Sequence, residues 1–280
     1  MPKLRSLIAL TGLLLTTTSF ACELKMKKKL VIGCTYKCDF MYRMRLTLSA
    51  LSLGYPIKIV DLRQMGDMSE AMGKVDGILM PGGADINPAI YMEKVTPDMK
   101  DHLQKNIHLA RMSDEGKQRD GYESELLKKY SSDDRFQHLP FLGICRGMQM
   151  MTVTQGIPLF LDIKTEVGIE NRKYVFDKVS VTEDSLMSKI YPQKSVKAMK
   201  LHHQGLRVPY FKENAAKFPL VKVTSFSHDS KIAESIEYTH RPALGLQYHP
   251  EMSFSGTSNP VFKWFLSKSC EYKNAAKGTL

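Results

Sequence analysis

Pro140-Phe141-Leu142-Gly143-Ile144-Cys145-Arg146-Gly147-Met148-Gln149 joins a short apolar strand to the start of a helix through a thiol flanked by glycines. The spacing G-x-C-x-G is the thiol counterpart of the G-x-S-x-G elbow, in which a sharp strand-to-helix turn lifts a nucleophile clear of the sheet. Gly143 and Gly147 leave room for backbone at that turn, and a helix N-terminus favours the thiolate over the thiol. A buried structural cysteine at a strand end would look similar in isolation. The surrounding chain separates the two readings.

Working outward, short apolar runs alternate with longer amphipathic stretches, the pattern of an α/β protein with a parallel sheet. Strands are expected at 30–33, 57–60, 77–80 and 140–144, with a helix over 40–53 ended by Gly54 and Pro56. A helix is expected over 124–130, and the polar stretch 96–117 reads as an exposed loop or irregular helix. Beyond Lys173 the runs 174–181, 220–225, 232–238 and 243–248 read as strands. With no internal repeat and no Pro/Gly/Ser linker, one domain is the economical organisation.

Three further clusters accompany the elbow. Ala243-Leu-Gly-Leu-Gln-Tyr248-His249-Pro250-Glu251 is an apolar strand running into His-Pro-Glu. Residues two apart in extended chain share a face, so Glu251 can fix the tautomer of His249 and support its imidazolium. Asp76 to Pro88 carries Pro81-Gly82-Gly83 directly after a strand, where exposed backbone N–H groups can receive a developing oxyanion. It lacks the Lys-Ser/Thr of a phosphate loop. Leu201-His202-His203-Gln204-Gly205 reads as a polar pocket wall rather than a metal site, because no third ligand stands at a recognisable spacing.

The 280 residues carry 40 Lys and Arg against 29 Asp and Glu, a formal charge of +11, with 43% apolar residues. That composition excludes collagen-like, disulfide-scaffold and disordered chains. The basic residues are scattered, and without a zinc-finger or single-strand-binding pattern they read as a solvated face, not a nucleic-acid surface.

At the start, Lys3 and Arg5 precede the nine-residue apolar run 7–15, and Ser19 and Ala21 follow at signal-peptidase spacing. Residues 1–21 are therefore expected to be a signal peptide, and the nine-residue run falls short of the ~20 residues of a membrane span. Export as a periplasmic or secreted protein is expected. A lipid on Cys22 is the weaker alternative, because Ser19 and Phe20 occupy the lipobox positions. In an oxidising compartment the odd set Cys22, Cys34, Cys38, Cys145 and Cys270 leaves at least one thiol unpaired, and four cysteines allow three pairings.

Taken in order, the four clusters resemble the class I glutamine amidotransferase-like superfamily, and within it the gamma-glutamyl hydrolase branch. Ile144-Cys-Arg-Gly147 with Gln149 matches the nucleophile motif, and Gly245-Leu-Gln-Tyr-His249-Pro-Glu251 matches the histidine motif, with Tyr248 in place of the usual Trp. Thr152 replaces a common Asn, and Gly156-Ile-Pro-Leu replaces Gly-Gly-Thr-Leu. The resemblance implies a flavodoxin-like, mostly parallel sheet with helices on both faces, formed by residues 22–280. It further implies Cys145 as nucleophile of a γ-glutamyl amide, His249 as its acid–base partner and Glu251 as the orienting carboxylate. Backbone N–H groups of Gly83 and Arg146 would hold the oxyanion, and Gln149, His203 and Gln204 would line the glutamyl site. It implies a small γ-glutamyl substrate and no metal or organic cofactor. A glutaminase subunit serving a synthetase, or a non-catalytic γ-glutamyl-binding protein, are the competing readings.

Overall fold

The computed structural model describes residues 22–23, 28–170, 175–253 and 259–276. The expected signal peptide and Tyr174, the first residue of one expected strand, lie outside them.

Eleven strands are described: β1 (Leu30–Cys34), β2 (Ile57–Asp61), β3 (Gly77–Met80), β4 (Phe141–Ile144), β5 (Leu159–Phe160) and β6 (Val175–Val181), followed by β7 (Ser195–Lys200), β8 (Gly205–Leu206), β9 (Val221–Ser227), β10 (Ile232–Tyr238) and β11 (Ala243–Leu246). The helices are α1 (Phe40–Ser52), α2 (Met68–Gly73), α3 (Pro97–Asn106), α4 (Asp114–Ser132), α5 (Arg146–Thr154), α6 (Ile163–Val167), α7 (Leu186–Ile190), α8 (Val208–Glu213) and α9 (Pro260–Ala276). Nine strands form one sheet in the order β2-β1-β3-β4-β11-β10-β9-β6-β7, while β5 and β8 pair separately. From β2 to β11 every neighbour is parallel; from β11 to β7 every neighbour is antiparallel.

The parallel strands are short and continuously apolar because both faces are covered. On one face α2, α4 and α5 pack Met72, Leu126 and Met148 into a large core; on the other α1, α7 and α9 contribute Leu46, Met187 and Phe265 to a second. The expected α/β sheet with helices on both faces is what the chain forms, extended by the antiparallel wing.

Differences from the sequence reading are local. Of the two alternatives for 96–117 the irregular helix holds: Pro97 opens α3, a break follows at 110–113, and Ser113 caps α4 by accepting the Gly116 N–H, so the helix expected at 124–130 begins ten residues earlier. Strand β11 stops at Leu246 rather than 248, although the Gln247 N–H still donates to Glu234 O of β10. Strand β7, with Lys197 and Lys200 breaking its apolar pattern, has no counterpart in the sequence reading. Two disulfides close, Cys22–Cys270 across 248 residues and Cys34–Cys38 across four. Cys145 is the one free cysteine among the described residues.

Candidate active site

Strand β4 delivers Cys145 to the C-terminal edge of the sheet, where α5 begins. Its backbone sits at φ 51, ψ −104, a region that L-residues avoid. Neighbouring structure enforces it. A Cβ on Gly147 would stand 2.2 Å from the Met80 carbonyl oxygen, and one on Gly143 would stand 2.7 Å from the Gly147 backbone. The Cys145 N–H donates to Leu246 O at 2.6 Å, fastening the elbow to the end of β11.

Because β11 lies parallel beside β4, with Leu246 opposite Ile144, the segment after β11 arrives next to the thiol. Gln247 Nε2 donates to Cys145 Sγ at 3.7 Å. His249 is held by its backbone N–H on Met199 O (2.9 Å) and by Nδ1 on Glu251 Oε1 (2.6 Å). His249 and Glu251 are both buried, at 8% and 3% exposure. Burial alone would lower the His249 pKa. The charge of Cys145, its hydrogen bond to the ring and the Glu251 carboxylate outweigh it and hold the imidazole well above its usual range. The structure brings His249 and Glu251 together beside Cys145, with Pro250–Met252 forming a 3-10 turn where extended chain was expected.

The loop after β3 closes the other side. A Cβ on Gly82 would stand 3.1 Å from His249 Cε1 and 3.5 Å from Cys145 Cβ, so the Gly82-Gly83 backbone runs directly past the thiol. The Gly82 N–H donates to Tyr42 Oη at 3.0 Å. Burial, and then the charge of Glu251, push the Tyr42 pKa well above its ordinary value, so this phenol stays neutral beside the histidine–carboxylate pair. Neither the Gly83 nor the Arg146 N–H has a hydrogen-bond partner among the described residues.

The three residues expected to line a glutamyl site are each held by protein groups. Gln149 Nε2 donates to Gln204 O (3.2 Å) and Gln247 Oε1 (3.3 Å). Gln204 Nε2 donates to Leu161 O, leaving its buried Oε1 without a partner among the described residues. His203 bridges two carboxylates, with Nδ1 3.2 Å from Asp162 Oδ2 and Nε2 3.0 Å from Asp85 Oδ1. His202 turns away and contacts Gln204 O, and burial lowers its pKa. Among the described residues no group of three His, Cys, Asp or Glu is placed to hold a metal. A cleft of about 470 Å³, bordered by Tyr36, Met41, Gly83, Glu115, His249 and Met252, opens beside the histidine.

Sequence reasoning did not find Tyr42, Gln247, Arg119 or Glu123. Gln247 stands inside the quoted motif, and its position two before His249 was the available signal. The others reach the site only through the fold.

A cysteine held in an elbow on a parallel β4–β11 pair, beside a His–Glu pair, fits the class I glutamine amidotransferase-like proteins. The peptidase C26 pattern matches residues 34–251, and the chain belongs to that family, which supports a cysteine hydrolase. It is 28% identical over 227 residues to protein NtpR of Enterococcus hirae, covering 77% of this chain and 83% of that one. It is 24% identical over 243 residues to the gamma-glutamyl-gamma-aminobutyrate hydrolase of Escherichia coli K12, covering 81% and 85%. The solved structure of a GMP synthase-like protein from Thermoplasma acidophilum superposes with TM-score 0.56 at 18% identity, covering 89% of this chain and 98% of that one.

Proposed function

We propose that the protein hydrolyses γ-glutamyl amide bonds through a glutamyl thioester on Cys145. The observation that carries this reading is the 2.6 Å His249–Glu251 contact beside a thiol held in elbow geometry. Cys145 sulfur attacks the γ-carbonyl carbon; the C–S bond forms as the carbonyl oxygen takes the charge. Gly83 and Arg146 N–H groups receive that oxyanion. The tetrahedral intermediate collapses, the C–N bond breaks, and His249 gives the leaving nitrogen the proton taken from the thiol. Water, deprotonated by His249, then cleaves the thioester and frees glutamate. Glu251 orients the imidazole and supports its cationic form throughout. Gln149, His203 and Gln204 surround the glutamyl end, where the open Gln204 Oε1 can accept from an α-ammonium. The E. coli relative named gamma-glutamyl-gamma-aminobutyrate hydrolase supports the bond class.

Export fits the same picture. The charged, apolar and small-residue order of residues 1–21 and two disulfides both suit an oxidising compartment. A Cys22 sulfur bonded to Cys270 cannot also carry a lipid thioether, which favours the lipid-free form.

The test is a panel of γ-glutamyl amines, γ-glutamyl amino acids and poly-γ-glutamate, following glutamate release. Turnover is expected with the native protein and a loss of at least about 10³-fold in Cys145→Ala, with circular dichroism unchanged. Equal turnover by Cys145→Ala, or none on any γ-glutamyl compound, rules the reading out.

A further inference from the structure

Behind the Gly82-Gly83 loop lies a buried charge cluster. Arg119 donates from Nη2 to Pro81 O and from Nη1 to Gly82 O, both at 2.9 Å. Arg146 donates from Nη1 to Ala84 O (2.8 Å) and Asp85 O (3.1 Å). Four carbonyls of five consecutive residues therefore end on two guanidinium groups. Glu123 locks both: Oε1 accepts Arg119 Nε (3.0 Å) and Nη2 (2.9 Å), and Oε2 accepts Arg146 Nε (3.0 Å). Thr35 Oγ1 donates to the same carboxylate, and Asp120 accepts Arg146 Nη2 at 2.7 Å while taking the Asn87 N–H on its other oxygen. Arg119, Asp120, Glu123 and Arg146 are each at most 4% exposed.

We infer that Arg119, Glu123 and Arg146 are positioning residues that aim the oxyanion donors; this rests on the proposed thioester chemistry. A trans peptide is planar, so its C=O and N–H point in opposite directions. Pinning Gly82 O on Arg119 therefore turns the Gly83 N–H the other way, away from the charge cluster. Gly83 adopts φ +151, and a Cβ there would meet Arg119 Nη1 at 2.1 Å, so only glycine lets the guanidinium come this close. Arg146 acts on both halves of the site. Its backbone N–H is the second donor, while its side chain crosses to hold the loop carrying the first. The distance between the two donors is thereby set within one residue. Replacing buried ion clusters by apolar groups is often neutral or stabilising, so stability alone is a weak reason for this arrangement.

Two reactions of the disulfide-bonded protein separate aim from stability. p-Nitrophenyl acetate acylates a thiolate: the C–S bond forms, the carbonyl oxygen passes through an oxyanion, and p-nitrophenolate leaves. Iodoacetamide alkylates it, displacing iodide with no oxyanion. Arg119→Lys and Arg146→Lys keep the charge opposite Glu123 but cannot fork two carbonyls. Each variant is expected to lose about 10- to 100-fold in acylation, a misaimed donor being worth less than a deleted one. Alkylation should stay within about threefold, as it uses the unaltered Cys145–His249 pair. An unchanged acylation-to-alkylation ratio in both folded variants, with only a lower Tm, overturns the inference. Failure of the unmutated protein to be acylated overturns it together with the proposed function. Acylation without turnover of any γ-glutamyl compound overturns the proposed function alone.

Discussion

Strands β3, β4 and β11 are four residues long, buried throughout, and contain no ionisable side chain. On the far side of β11, strands β6, β7 and β10 carry Asp177, Lys200, Glu234 and Glu237 into the same sheet. Cys145 and His249 both spring from the apolar half. The polar half meets the segment carrying His249 through backbone, by Met199 O on the His249 N–H and Glu234 O on the Gln247 N–H. The apolar half supplies geometry that no solvent competes for. The polar half supplies buried ionic contacts: Lys200, 3% exposed, lies between Glu234 at 2.8 Å and Asp177 at 3.0 Å.

The comparison breaks most sharply at Lys200. Lys200→Met leaves Glu234 buried and without its cation, so unfolding in urea should show a loss of about 3–5 kcal/mol. Adding Glu234→Leu should recover most of it, since an apolar pair of similar volume suits the interior. A silent single variant would mean that the antiparallel half does not depend on its charges. Slightly smaller is the expected cost in the parallel half, where Leu244 is fully buried. Leu244→Ala should cost about 2–5 kcal/mol, whereas Phe176→Ala on β6, 44% exposed, should cost less than about 1 kcal/mol. Equal costs would erase the distinction between the halves.

The smallest effect concerns the join itself. Glu251→Gln should lower kcat/KM by about 10- to 100-fold, less than loss of His249, because the amide keeps the shape and loses only the charge. The sign of its pH effect follows from the raised His249 pKa. The carboxylate helps to hold the imidazolium to higher pH; without it the pKa falls. The proton for the leaving amine then disappears earlier as pH rises, and the alkaline limb of the rate profile moves to lower pH. An alkaline limb that stays put would mean another group governs the histidine.

The apolar half was the legible half. Continuous apolar runs as short as 77–80 and 140–144, bounded by Gly and Pro, read as strands buried on both faces, and a thiol between spaced glycines marks where one of them turns. Spaced glycines single out Cys145, whereas its grouping with His249 and Glu251 rests on the family resemblance of the two motifs. Stretch 96–117 obscured its helices because mostly polar residues give a weak apolar stripe, although Pro97 and Ser113 were ordinary start signals. Arg119 and Glu123 carry no local signature at all. Arg119 reaches carbonyl groups 37 and 38 residues earlier, Glu123 reaches Thr35 and Arg146, and only the folded chain puts them together.

Disulfide Cys22–Cys270 ties positions 248 residues apart into one covalent loop, with Cα atoms 6.1 Å apart. Loop-closure arithmetic puts the resulting restriction of the unfolded chain at about 5 kcal/mol. Topologically, everything between these cysteines is a ring. A protease that cuts one surface segment of a ring opens it without detaching a fragment, so both sides of the cut remain tethered and can re-form their shared sheet. Damage becomes a nick instead of a loss, and the cut is visible as two pieces only after the sulfurs are reduced.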